Sequence, residues 1–280
     1  MHTIDLEIES GKKSYKAIFS IASNWNEVSA MVYPELCSLY LKTPVDMSAY
    51  DKTVRAFILL TLDHYEIVKK LKGQEVYHLL KTVDWVFNRL DLQVNLLPKI
   101  NIDGIDYFGP SNEMENLRFG EFCLADTHYV KYARYGQIVD LHRLAACLYR
   151  PAGLGNEYSF DSPTYRGDIR EKFNDQLLNL RTKSMQNLSK AILDGIYIFY
   201  ASCKHNIVGM YTEFFPPIVP GNTQPVKDQN FSWFDIYDDL RGDPKFGGAE
   251  KLEDEFLHTV LASIERSKKT MKEIKSKHKI

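Results

Sequence analysis

The chain has 280 residues, which is long enough for one large domain or two modest ones, and either size can bury a substantial core. Hydrophobic residues make up 44% and charged residues 26%, an ordinary balance for a folded, water-soluble protein. The formal net charge of -2 provides no field that would draw nucleic acid or an anionic membrane to the whole surface.

The N-terminal residues alternate between apolar and charged side chains over 3–9, and the alternation resumes after a turn at 10–13. This period of two predicts a β-hairpin. The charges argue against a signal peptide, and the most apolar runs, 56–62 and 195–203, are too short to span a bilayer. We therefore expect no membrane partner.

Helical periodicity follows the hairpin and predicts four helices, over 30–42, 46–62, 65–72 and 75–89. Pro34 fits the first of them only near its N-terminal turn, where a missing amide hydrogen breaks no helical hydrogen bond. The hairpin and these helices form the first predicted segment, 1–97.

A second hairpin is predicted at Asp103 and Gly104, which lie between two short runs of strand-forming residues. Pro98 and Pro110 bracket these runs. We expect segment 98–110 to be a small β connector between helical blocks.

The centre of the chain, 117–151, predicts two helices that meet at Gly136. In each helix, side chains spaced by three and four share one face: Phe122, Ala125, Tyr129 and Tyr132 in the first, and Leu141, Leu144, Ala145 and Leu148 in the second. At the start of the first helix we expect Gly120 to allow a tight turn and Glu121 to complement the positive helix end.

The rest of the chain predicts four further helices, over 168–178, 184–206 and 249–275 and a short one that opens at Trp233. A loop is expected over 152–167, and prolines mark 215–230 as an arm or linker. The predicted segments after the connector are therefore a central helical core (111–214), the proline-rich arm and a C-terminal helical segment (231–280).

Together these elements predict an α+β fold that is predominantly α-helical, with both hairpins set on a helical core. The cysteines form no CxxC pair and lie in apolar, helix-like contexts, so we expect four buried free thiols and a reducing compartment. They are Cys37, Cys123, Cys147 and Cys203.

Two acid–histidine pairs suggest an alternative function, that of a metal-dependent hydrolase. Asp126 with His128, and Asp140 with His142, supply the oxygen and nitrogen atoms that bind metals. Side chains two residues apart on a helix point about 200° apart, so neither pair can chelate alone. Convergence of all four side chains would favour the hydrolase, and scatter would argue against it.

Other chemical signatures are missing from the sequence. It has no nucleophile elbow, phosphate-binding loop or dinucleotide-binding glycine pattern. We predict that the protein is not an enzyme, and we assign no catalytic, cofactor-binding or metal residue and no cofactor. A nucleic-acid-binding role is a further alternative, through the basic tail 264–280, but the tail lacks interleaved aromatic residues and a solvated helix end is favoured.

Tyrosine and arginine, which are enriched at protein interfaces, cluster along the central helix pair. We expect them at the rim of the core, where they would contact partner proteins, although a helical core whose long side chains reach solvent has the same composition. The candidate interaction residues are Tyr129, Tyr132, Arg134, Tyr135, Arg143, Tyr149, Arg150 and Trp233.

Several motifs occur in a suggestive order along the chain. ASNWNEVS follows the first hairpin, LAACLYRP ends the central pair, and Trp233 precedes GDPKFGG. The most informative motif opens the central pair and consists of Phe119, Gly120, Glu121, Phe122, Ala125, Asp126 and Tyr132. In this order the motifs resemble a family of tail-region proteins encoded by phages and prophages of Bacteroidetes hosts.

The resemblance implies a non-enzymatic tail assembly chaperone or minor virion protein. Its expected partners are other phage tail or neck proteins, with self-association as a further option, and its expected location is the host bacterial cytoplasm or the virion. The chain is longer than most small tail chaperones, and its proline-rich arm would fit a structural subunit that stays in the particle.

Overall fold

The computed structural model describes residues 1–10, 13–215 and 233–277. About 60% of the residues are helical, and two small antiparallel sheets complete the fold. The predicted α+β, predominantly helical class is therefore confirmed.

The chain forms two compact units, which are described separately. The first contains Met1–Leu97 and Leu188–Ser202, and the second contains Pro98–Asn187 and Cys203–Ile280. Residues 188–202 thus belong to the first unit, although the predicted segments are continuous in sequence and place these residues in the central helical core.

The first unit opens with the predicted hairpin. Strand β1 (His2–Ser10) pairs antiparallel with β2 (Lys13–Ile21), and the register places Ile4 opposite Phe19. These two side chains are buried, whereas Ile18 is exposed. Alternation along the strand therefore buries one face, as the period of two predicts.

Trp25 anchors the core of the first unit. Its indole is fully buried and donates a hydrogen bond of 2.7 Å from Nε1 to the carbonyl of Arg89. Edge-to-face contacts with Tyr33, Tyr40 and Trp85 place the ring centroids 5.7–6.5 Å apart, within the range such pairs favour.

Five helices follow Trp25 along the chain: α1 (Tyr33–Leu41), α2 (Ala49–Leu60), α3 (Tyr65–Val68), α4 (Gly73–Leu80) and α5 (Trp85–Asn88). Pro34 lies in the first turn of α1, as expected. The single helix predicted over 75–89 is wrong, because a 3-10 turn at Lys81–Val83 separates α4 from α5. There the Thr82 hydroxyl donates to the Leu79 carbonyl, a local bond that competes with regular helix.

The second unit begins with the predicted connector hairpin, β3 (Lys99–Ile102) and β4 (Ile105–Phe108). Asp103 and Gly104 adopt φ of 51° and 84°, the left-handed pair that a tight two-residue hairpin turn requires. A short third strand, β5 (Arg150–Pro151), adds to β4. No local sequence pattern indicates β5, because its pairing partner lies more than 40 residues away in the chain.

The central helix pair is confirmed. Helix α6 (Phe119–Tyr135) ends at Gly136 in the left-handed conformation, and α7 (Ile138–Leu148) follows. The predicted faces pack inward at Phe122 and Ala125 and at Leu141, Leu144, Ala145 and Leu148.

The helix predicted over 168–178 is wrong. The Gly153 amide donates to Ile169, and the Glu171 amide donates to Pro151, so residues 168–171 lie extended beside 151–153. Helix α8 begins only at Leu178 and ends at Met185, and α9 (Lys190–Met210) follows. The competing backbone pairing is nonlocal, so helical periodicity gives no sign of it.

The C-terminal part contains α10 (Trp233–Arg241), α11 (Ala249–Glu253) and α12 (Leu257–Lys277). The single helix predicted over 249–275 is wrong, because the Phe119 amide donates to the Glu255 carbonyl and the Leu257 amide donates to Leu117. A turn at Asp254 and a β-bridge between Phe256 and Arg118 therefore separate α11 from α12. Apart from Phe215, the predicted proline-rich arm lies outside the described residues.

Candidate functional site

Helix α6 carries a fully buried carboxylate, Glu121, in its first turn. Its Oε1 lies 2.8 Å from Nη1 of Arg150 and 2.8 Å from Nη1 of Arg170. Asp168 completes the group by accepting hydrogen bonds of 2.9 and 2.7 Å from Nε and Nη2 of Arg170. We call these four residues the Glu121 ion cluster.

Backbone carbonyls satisfy the remaining donors of the cluster. Arg150 Nη1 donates to Cys147 and Arg170 Nη1 donates to Leu148, each over 2.7 Å. Arg150 Nε donates to the carbonyl of Glu171. The cluster thereby joins α6, the end of α7 and the extended segment after Gly167, and its two positive and two negative charges cancel.

The two guanidinium groups experience different fields. Burial and the neighbouring Arg170 charge lower the pKa of Arg150. At Arg170 burial acts in the same direction, but Glu121 and Asp168 outweigh it and raise the pKa. Both groups remain protonated at neutral pH because arginine titrates far above it.

The structure corrects two predictions about this region. Arg150, expected at the rim, is only 1% exposed, and Glu121 does more than complement the helix end, because it neutralises two buried cations. The available sequence signal was that Arg150 directly follows a continuous hydrophobic stretch at 144–149. A charge in that position tends to share the burial of its neighbours.

Gly120 also has a different role from the predicted one. The chain enters α6 from an extended Arg118, so no tight turn occurs at Gly120 and that prediction is wrong. A Cβ at Gly120 would lie 3.1 Å from both Cβ and Cγ of Glu253. Glycine here permits the close approach of α11 to α6.

Asp126 lies one helical turn beyond Phe122 and is committed to internal partners. Its Oδ2 accepts a hydrogen bond of 2.7 Å from Nε1 of Trp233, and its Oδ1 lies 2.6 Å from Nζ of Lys204. Trp233 packs edge-on against Phe122, with ring centroids 4.8 Å apart. Trp233, a candidate interaction residue, is therefore buried at the start of α10.

Among the four candidate metal ligands, His128 and Asp140 contact each other. Nδ1 of His128 lies 3.1 Å from Oδ1 of Asp140. Burial lowers the pKa of His128 and outweighs the opposing effect of Asp140, and burial also lowers the pKa of His142. Within the described ranges, no three His, Cys, Asp or Glu side chains are grouped so that they could hold a metal ion.

The predicted interaction residues divide into three groups. Tyr149, Arg150 and Trp233 are buried, so the prediction that Tyr149 and Arg150 lie at the rim is wrong. Three more are half-buried and two are exposed: Tyr129, Tyr132 and Arg143 in the first of these groups, and Arg134 and Tyr135 in the second.

Two exposed apolar residues, Val130 and Ile138, accompany Arg134 and Tyr135 at the end of α6 and the start of α7. Tyr135 is 63% exposed. We call these four residues the α6–α7 corner. The sequence analysis missed Val130 and Ile138 because helical periodicity does not distinguish an exposed apolar residue at a helix end from a core residue.

Comparisons with known proteins give no relative. No protein-family model matches the sequence, and no curated protein or solved structure is significantly similar to it. Among the helices of the described ranges, none is both long enough and apolar enough to cross a membrane.

Proposed function

We propose that this protein is a bacteriophage tail assembly or virion structural protein that acts through protein–protein contacts and not through catalysis. It would work in the host bacterial cytoplasm during assembly, with the virion as its second location. The proposal begins from the motif order described above, in which the opening of α6 is the most informative part.

One observation carries the proposal: the acidic residues of that α6 motif serve the interior of the protein. Glu121 is shared by two buried arginines, and Asp126 is held by Trp233 and Lys204. A general acid or base has to come within hydrogen-bond reach of its substrate. Carboxylates held in this way suit a scaffold better than a reaction centre.

The α6–α7 corner is the proposed contact surface. Exposed tyrosine beside arginine is a composition that protein interfaces favour, and Val130 and Ile138 add apolar area that a partner would cover. Other phage tail or neck proteins are the proposed partners.

Mass spectrometry of purified virions from the producing strain tests the proposal. Abundant peptides of this chain in the particle would identify a structural subunit. Absence from the particle, combined with co-purification with tail proteins from producing cells, would identify an assembly factor. Absence from both fractions would overturn the proposal.

A paired-variant experiment tests the contact surface. Replacing Tyr135 and Ile138 with serine should reduce the recovery of tail proteins with the tagged chain at least tenfold. The matched control replaces Val45 and Tyr50, two exposed apolar residues of the first unit, with serine and should leave recovery unchanged. Equal recovery from both variants would rule out the corner as the contact surface.

A further inference from the structure

The last part of α12, residues 266–277, is exposed on all sides of the helix. We call it the basic extension, because it contains six basic side chains and a single acidic one, Glu273. Its net charge of +5 contrasts with the value of -2 for the whole chain.

The basic extension also continues an apolar stripe. Leu257 and Val260 are buried in the packed part of α12. Ile264 and Met271 follow Leu257 at intervals of seven, and Ile274 lies three residues after Met271. Met271 is 62% exposed and Ile274 is 50% exposed, so the stripe runs past the end of its packing. A stripe at heptad spacing is suited to a second surface.

The charges of the basic extension define what that surface must be. Lys272 forms an ion pair with Glu213, whereas Lys268, Lys275 and Lys277 form no ion pair with another described residue. Two basic extensions side by side would repel each other. An acidic surface with an apolar centre would instead relieve the repulsion and cover Met271 and Ile274.

The second unit has such a surface. A cavity of about 610 Å³ lies between the start of α6, residues 171–177, α10 and α11. Its apolar lining comes from Leu124, Phe173, Leu177 and Phe234. We call this cavity and its rim the acidic groove, because its lining contains five carboxylates and three basic side chains, a net charge of -2. The carboxylates are those of Glu171, Asp175, Glu250, Glu253 and Asp254, and the basic residues are Arg118, Lys172 and Arg181.

Two of these carboxylates are available to a partner. Asp175 and Glu250 line the cavity, are exposed and form no ion pair with another described residue. Other carboxylates have partners within the chain. Asp254 pairs with Arg166, and Glu253 accepts a hydrogen bond from the Tyr237 hydroxyl. Burial and this hydrogen bond raise the pKa of Tyr237 to about 12.

We propose that the basic extension of one copy docks in the acidic groove of a second copy. Met271 and Ile274 enter the cavity, and the surrounding lysines meet the free carboxylates of its rim. The net charges of the two surfaces are opposite in sign. Since the two surfaces differ, copies join head to tail and close as a ring or as a reciprocal pair. This self-association is independent of the proposed phage function.

Sedimentation velocity of the full chain tests the proposal with two charge-reversal variants. The first is K268E/K275E/K277E in the basic extension, and the second is D175K/E250K at the acidic groove. Each alone should weaken self-association at least tenfold, because like charges then face each other. Their equimolar mixture should associate again, because both complementary pairings are restored.

Two further measurements refine the test. Wild-type association should weaken as ionic strength rises, since the contacts lie at the surface. M271S/I274S should weaken it without any change of charge. The matched control, K42E/K70E/K81E, makes the same charge change on exposed lysines of the first unit and should associate like wild type. Circular dichroism confirms that every variant is folded.

Three results would overturn the proposal. The wild type could remain monomeric at all concentrations and at low ionic strength. Association could survive both charge reversals. A monomeric wild type could retain duplex DNA through the basic extension alone, with K268E/K275E/K277E losing retention and D175K/E250K keeping it, which would assign the extension to nucleic acid.

Discussion

Glu121 is a carboxylate with no exposed surface, and two guanidinium groups depend on it for neutrality. Removing its charge would leave Arg150 and Arg170 with Asp168 as their only carboxylate in the cluster. An uncompensated buried cation is costly because the interior solvates it poorly. We therefore expect the loss of any one charged partner of the cluster to destabilise the protein strongly.

Glu121→Gln should lower the free energy of unfolding by roughly 3–5 kcal/mol, the usual cost of removing one partner from a buried ion pair. Urea denaturation measures the change. The control is Glu115→Gln, which makes the same change at an exposed site before α6. Its free energy of unfolding should stay within about 0.5 kcal/mol of the wild-type value. A loss below about 1 kcal/mol for Glu121→Gln would contradict the assigned role.

His128 predicts a pH dependence of stability. Burial lowers its pKa in the folded state below the ordinary value of 6.5, with Arg143 and Lys131 acting in the same direction and Asp140 opposing. The unfolded chain therefore binds the proton more readily. The stability associated with the neutral ring is present above the ordinary pKa and is lost as the pH falls through and below it.

Thermal unfolding across this pH range should show a falling midpoint for the wild type as the pH decreases, and a shallower fall for His128→Gln. His78→Gln replaces an exposed histidine and should keep the wild-type slope. Identical slopes for all three proteins would exclude His128 as the titrating group.

At the scale of elements, α9 contains two glycines in opposite surroundings. A Cβ at Gly195 would lie 3.0 Å from Cδ1 of Leu97 and 3.0 Å from Cε1 of Tyr33, whereas a Cβ at Gly209 would meet nothing within 4 Å. The Tyr33 hydroxyl also donates a hydrogen bond of 2.6 Å to the Gly195 carbonyl. Close helix packing in the first unit thus depends on Gly195.

Alanine at these two positions should separate packing from helix propensity. Gly209→Ala should stabilise the protein by up to about 1 kcal/mol. Gly195→Ala receives the same propensity gain but overpacks its site, so it should be less stable than Gly209→Ala by at least about 1 kcal/mol. Urea denaturation of the two variants measures the difference. Equal stabilities would mean that the side chains of Tyr33 and Leu97 can move aside with no loss of stability.

The element predictions succeeded where the signal was local. Asp103 and Gly104 specify their turn because glycine and aspartate tolerate positive φ, and Gly136 ends α6 for the same reason. The predicted helices at 168–178 and 249–275 were wrong because a distant backbone segment pairs with the chain in each. The helix predicted at 75–89 was wrong for a local reason, the 3-10 turn at Lys81–Val83.

At the scale of the whole molecule, the prediction of four buried free thiols is confirmed. Burial raises the pKa of each thiol, that of Cys203 to about 12, so little thiolate forms at neutral pH. The thiolate is the reactive species. Reaction of any of these cysteines with a disulfide reagent should therefore require unfolding.

The native protein should release no colour with Ellman's reagent, and the denatured protein should release four equivalents. Asp63→Cys adds an exposed thiol and should react with one equivalent at once. Rapid reaction of the native wild type would show that at least one thiol is accessible.

The sequence by itself determined the helical class, both hairpins, the central helix pair and the burial of the cysteines. These features follow from periods of 2 and 3.6 residues and from residues that tolerate positive φ, all of which act over a few positions. Only the tertiary structure decided that Glu121 and Arg150 lie inside and that α11 and α12 are separate. Those outcomes depend on partners such as Phe119 and Glu255, which are far apart in the chain and meet only when it folds.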